Sequence, residues 1–115
     1  MYKFYYAEVL DEIPKEAREG ERTALERAIE LLQLAEQNGP QSREAVEALF
    51  FVRKLWGIFL EDLAKSENEL PQKLRADLIS IGLWVMREAE EIRQGRSRDF
   101  KGLIEICRTI YEGLK

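Results

Sequence analysis

Three prolines, Pro14, Pro40 and Pro71, divide a chain whose apolar residues otherwise recur every three or four positions. Proline cannot sit inside a helix or a central strand, but its fixed φ suits the first turn of a helix. The chain is therefore pushed toward several helices that start near its prolines, and away from a sheet. After Pro14, the residues Ala24, Leu25, Ala28, Ile29, Leu32 and Ala35 keep helical spacing until Asn38-Gly39-Pro40. Ser42 is a good N-cap for a second helix, which runs to the turn-like Ser66-Glu67-Asn68-Glu69. Pro71 opens a third, with Leu74, Leu78, Ile81, Val85 and Ile92 on one stripe and Gly95 as its stop. Ser97 or Asp99 can cap a fourth, whose inner face is Phe100, Leu103, Ile104, Cys107, Ile110 and Leu114.

These signals predict an all-α fold: residues 1–115 as a single-domain antiparallel bundle of four main helices at about 15–37, 43–65, 71–94 and 98–113. A short N-terminal segment, 1–13, precedes them. There Tyr2, Phe4 and Tyr6 alternate with Lys3 and Tyr5, which suggests extended chain. Gly20 weakens the first turns of the first helix by up to about 1 kcal/mol relative to alanine.

With 115 residues there is material for one core. The net charge of −4, with both signs interspersed, gives no concentrated positive potential for nucleic acid or anionic lipid. Arg53, Lys54 and Arg87 interrupt the apolar runs well short of the ~20 residues of a membrane span, and no secretory leader is evident, so a cytoplasmic protein is expected. Histidine is absent and Cys107 is the only cysteine, which removes the usual zinc, facial-triad and thiolate-cluster sites. The carboxylates of residues 16–30 alternate with arginines, as on a solvated helix face. No phosphate loop occurs, and Arg93-Gln94-Gly95-Arg96-Ser97-Arg98 reads as a solvated loop before a phosphate site. No enzymatic activity and no cofactor are expected.

The unusual feature is an apolar surplus in the two middle helices. Consecutive helical residues point about 100° apart, so Leu49-Phe50-Phe51-Val52 and Leu83-Trp84-Val85-Met86 cannot each face one seam. Taking Leu49, Val52, Trp56, Phe59 and Leu63 as the core stripe leaves Phe51, Leu55 and Ile58 beside it, and Trp84 away from the third helix's stripe. Two readings stay open. The other helices and the N-terminal segment cover this surplus, or it forms a groove for an amphipathic partner helix. In the second case the groove is lined by Phe51, Leu55, Ile58 and Trp84, with Arg53 or Arg87 on its polar rim.

The strings Arg43-Glu44-Ala45-Val46-Glu47-Ala48-Leu49, Leu78-Ile79-Ser80-Ile81-Gly82-Leu83-Trp84-Val85, Ile92-Arg93-Gln94-Gly95 and Phe100-Lys101-Gly102-Leu103-Ile104-Glu105-Ile106 resemble, in their order, the FlaF family of flagellar biosynthesis proteins of alphaproteobacteria. Tyr6-Ala7-Glu8 and Ala28-Ile29-Glu30-Leu31-Leu32 extend the likeness over nearly the whole chain. The resemblance implies a protein required for flagellin production and export, acting opposite the translational repressor FlbT and binding flagellin as a secretion chaperone. It makes an amphipathic terminal helix of flagellin the expected partner and FlbT a further candidate. Regulation of flagellin translation through FlbT or the messenger RNA, without chaperoning, is the alternative. A homodimer would also use surplus apolar surface.

Overall fold

The computed structural model describes residues 15–113, with side chains from residue 19. Four helices occupy them: α1 (Lys15–Asn38), α2 (Arg43–Ala64), α3 (Gln72–Arg93) and α4 (Phe100–Gly113). Their ends lie within two residues of the bounds expected from the sequence. The N-terminal segment and Leu114 lie outside the described residues.

Each boundary has a local cause. Gly39, at φ 95°, closes α1 with its N–H on the Ala35 carbonyl at 2.8 Å. Such left-handed backbone is strained for residues bearing a Cβ. Ser42 then caps α2 by accepting the Ala45 N–H at 3.1 Å. Pro71 stands at the N-cap of α3, one position before its first helical residue. At the other end of α3 the Gly95 N–H bonds the Ile92 carbonyl at 3.0 Å and the Arg96 N–H bonds that of Glu91 at 2.8 Å, with Gly95 at φ 79°. That pair is a Schellman stop. Of the two candidate caps for α4 the structure uses Asp99, whose carboxylate accepts the Gly102 N–H at 3.0 Å. Ser97 instead accepts from the Asp99 N–H and donates to Glu88 on α3.

The end of α2 is closed from a neighbouring helix. Arg75, on α3, donates to the Leu63 carbonyl at 2.8 and 3.1 Å and to that of Lys65 at 3.2 Å. A cation at a helix C-terminus also suits the helix dipole. Arg75→Ala is expected to lower stability by about 1–2 kcal/mol, the range for losing charge-assisted bonds at a half-exposed site. Urea unfolding monitored by circular dichroism measures it, and an unchanged midpoint contradicts the role.

Helix α1 packs on α2 and α4, α2 packs on α3, and a thinner contact between α3 and α4 closes the ring. Neighbours run antiparallel: Arg53 on α2 meets Glu90 on α3 while Arg75 meets Leu63, and Arg22 near the start of α1 reaches Tyr111 near the end of α4. The Arg22 guanidinium lies 4.9 Å from the Tyr111 ring centroid, and the Tyr111 hydroxyl donates to Glu26 at 3.0 Å.

The core is apolar, and among the described residues no polar or charged side chain is fully buried. Trp56 and Phe100 are its largest fully buried members. Small residues let the helices approach: Ala28 and Ala35 on α1, and Ala45 and Ala48 on α2, are all 0% exposed. Gly82 plays that part on α3, where an added Cβ would stand 2.7 Å from Leu60 Cδ2 and 3.3 Å from Trp56 Cε3. Cys107 is free and buried, and desolvation pushes its thiol up to about 11, well away from a reactive thiolate.

Candidate functional site

Position along α2 decides which apolar residues face out. Its buried residues, Ala45, Ala48, Leu49, Val52, Leu55, Trp56 and Leu63, place the core side between the directions of Ala48, Val52 and Leu55. Phe50 follows Ala48 by two residues, or about 200°, and so points almost directly away. It is 70% exposed, and Val46, one turn earlier on the same face, is 67% exposed. On α3 the matching stripe is Leu83, Met86, Glu90 and Arg93, at helical spacing, with Leu83 55% exposed.

Between these faces lies a groove of about 560 Å³. Val46, Phe50 and Met86 give it apolar surface, while Arg53, Lys54 and Arg93 supply its charges. The connection between α1 and α2 closes one end with Pro40 and Gln41. Glu90 holds the two arginines: Arg53 approaches its carboxylate at 3.2 Å and Arg93 at 2.5 Å. Hydrogen bonds from Arg93 and then Gln94, with the charges of Arg93 and Arg53, draw the Glu90 carboxyl down to about 2.

Because this folded value lies below the ordinary carboxylate value, the contribution of Glu90 to stability is present above about pH 4.5 and is lost as pH falls through about 2. A carboxyl-carbon NMR titration is expected to show Glu90 protonating near pH 2. A midpoint near 4.5 would mean that the Arg53–Glu90–Arg93 cluster is not formed in solution.

The six residues singled out in the sequence do not share one surface. Arg53 lines the groove, and Arg87 is exposed one turn after Leu83 on the same side of α3. Leu55 is only 8% exposed and belongs to the core. Phe51 is half-buried against that core. Ile58 is 55% exposed, but with Leu55 it lines a separate hollow of about 340 Å³ against Gly20, Glu21 and Ala24 of α1. Trp84 turns toward α4, where its Cη2 lies 3.1 Å from the place a Cβ on Gly102 would take. The tryptophan that looked misplaced thus covers the thin contact between α3 and α4.

The stripes differ from the expected ones for one physical reason. Of the large residues expected in the α2 core, Leu49, Val52, Trp56 and Leu63 do face it, but Ala45, Ala48 and Gly82 share the seam. That widens the buried side of α2 toward Leu55 and Phe51 and leaves Phe50 facing outward, while Phe59 and Ile81 become half-buried flanks. The two alanines two and five residues before Phe50 were the signal that could have found it.

A cationic groove on a bundle leaves many identities open, and the whole chain narrows them. The family model for the flagellar protein FlaF matches residues 2–114. The chain belongs to the FlaF family. No curated protein and no solved structure matches it. In this FlaF chain the groove runs between α2 and α3. Among the described residues no three histidine, cysteine, aspartate or glutamate side chains gather as metal ligands would, and no helix is long and apolar enough to cross a membrane. The basic corner after α3 has cations that are largely occupied, since Arg93 pairs with Glu90 and Arg96 with Glu91.

Proposed function

We propose that this FlaF-family protein binds flagellin and promotes its synthesis and export, holding an amphipathic flagellin segment in the groove between α2 and α3. The single observation that carries this reading is Phe50, an aromatic residue 70% exposed at the lip of an apolar groove in a flagellar protein. Exposed, contiguous apolar surface on a small bundle is the usual form of a site for a partner helix. Flagellin fits the role because its terminal segments are amphipathic and self-associate in the filament. A factor that covers their apolar face keeps them apart before export, and a shallow, partly polar groove keeps release within reach.

Copurification with flagellin truncated at either end tests the proposal. One truncation is expected to abolish capture while the other leaves it intact. Failure to capture even full-length flagellin would contradict flagellin binding and favour control of its translation through FlbT. Direct contact with the messenger RNA is disfavoured by the net charge of −4, with both signs interspersed along the chain.

A further inference from the structure

The charges around the groove say more about its occupant than its apolar residues do. The chain as a whole is acidic, at −4, yet no carboxylate is among the groove's lining residues. Three cations are: Arg53 and Lys54 on the α2 wall and Arg93 on the α3 wall. Glu90, on the same α3 stripe, offsets part of this charge as one carboxylate shared by two guanidinium groups. Both arginine side chains stay open to solvent, 42% exposed for Arg53 and 56% for Arg93. Lys54 is exposed and has no ion-pair partner among the described residues.

Beyond Arg53 and Lys54 the outward face of α2 continues at Gly57, next on the Phe50 side of the helix. An added Cβ there would meet nothing within 4 Å, so no packing inside the bundle demands a glycine. Glycine in a helix interior weakens it by up to about 1 kcal/mol relative to alanine. A bare backbone at this point leaves room for a close neighbour. Across from it, Leu83 carries the α3 stripe on past Met86. From Val46 to Gly57 α2 rises by about 16 Å, or three helical turns.

We infer that the groove between α2 and α3 selects an acidic amphipathic helix, with an apolar stripe set between Phe50 and Met86 and carboxylates flanking that stripe on both sides to meet Arg53, Lys54 and Arg93. Cations on both walls reject a helix with lysine or arginine flanks, because like charges across a desolvated contact cost more than the apolar stripe returns. The inference rests on the reading of this groove as a partner site given above. It does not require that partner to be flagellin.

The test uses the intact protein and two synthetic helices of about 18 residues with the same leucine stripe, one flanked by glutamates and one by lysines. Fluorescence anisotropy is expected to show the acidic helix binding at least tenfold more tightly than the basic one, and weakening as salt rises. Phe50→Asp is expected to weaken the acidic helix at least tenfold. Phe50, Lys54 and Arg93 are all exposed, and circular dichroism checks that each variant is folded before binding is read. The pair Lys54→Glu and Arg93→Glu is expected to lower the preference for the acidic helix toward equality or reverse it. Equal binding of the two helices, no binding of either, or a preference that survives the charge reversal overturns the inference. Those results leave flagellin binding standing if flagellin still copurifies. Loss of flagellin capture with the acidic helix still selected would instead remove flagellin and keep the groove.

Discussion

Trp56→Ala is expected to destabilise the protein by about 3–5 kcal/mol, the range for emptying a fully buried aromatic site. Trp56 is 1% exposed on α2 and touches the space beside Gly82 on α3. It also meets Phe59 edge to face, with ring centroids 5.3 Å apart. Removing it takes away contact with α3 and leaves Phe59 without its partner. For a domain of this size the melting temperature should fall by well over about 10 °C. The indole N–H is buried without a nitrogen or oxygen acceptor, and faces only the weakly accepting thiol of Cys107. Trp56→Phe therefore sheds an unpaired donor as it loses volume, and should cost less than about 1.5 kcal/mol. Thermal melts of the two variants side by side give the contrast. A loss for Trp56→Phe as large as for Trp56→Ala would contradict this expectation.

The second large effect belongs to Gly82. A β-carbon at this position would come 2.7 Å from Leu60 Cδ2 and 3.3 Å from Trp56, so a leucine there must push α2 and α3 apart. Gly82→Leu is expected to cost about 3 kcal/mol or more, at the upper end of overpacking penalties. Gly82→Ala sits near balance, because the gain in helix propensity of up to about 1 kcal/mol offsets rotation of the flexible Leu60 end. Denaturant titration of both variants checks this, and a Gly82→Leu protein as stable as the parent would show that the helices are not closely apposed at that point. The groove lies between these same two helices, so Gly82→Leu should also disturb binding, through spacing rather than through contact.

Much of this fold was legible because its punctuation is local. Asn38-Gly39-Pro40, Ser42, Pro71 and Gly95 each act within a few residues of themselves, and each stands at or beside a helix end. Arg75 could not be seen in this way. Its partners, Leu63 and Lys65, become its neighbours only once α2 and α3 lie antiparallel. The site was legible as a surplus but not as an address. Leu49-Phe50-Phe51-Val52 required at least one phenylalanine to leave the core, and the apolar neighbours Leu55 and Ile58 drew the expected groove to Phe51. The close approach permitted by Ala45, Ala48 and Gly82 takes Leu55 and part of Phe51 into the core and leaves Phe50 outside. Trp84 misled for a related reason: its neighbours on α3 are polar, and the glycine that receives it, Gly102, belongs to another helix.

That difference of one residue separates two outcomes that a single experiment can read. Phe51 is packed against the core, so a charge there threatens the fold, whereas Phe50 stands 70% exposed and contributes little to folding. The most direct measurement is flagellin capture by Phe50→Asp beside the parent, with thermal melts showing both folded. The groove predicts an unchanged melting temperature and a loss of capture of at least tenfold. Undiminished capture by a folded Phe50→Asp protein would contradict the assignment of the partner site to the α2–α3 face.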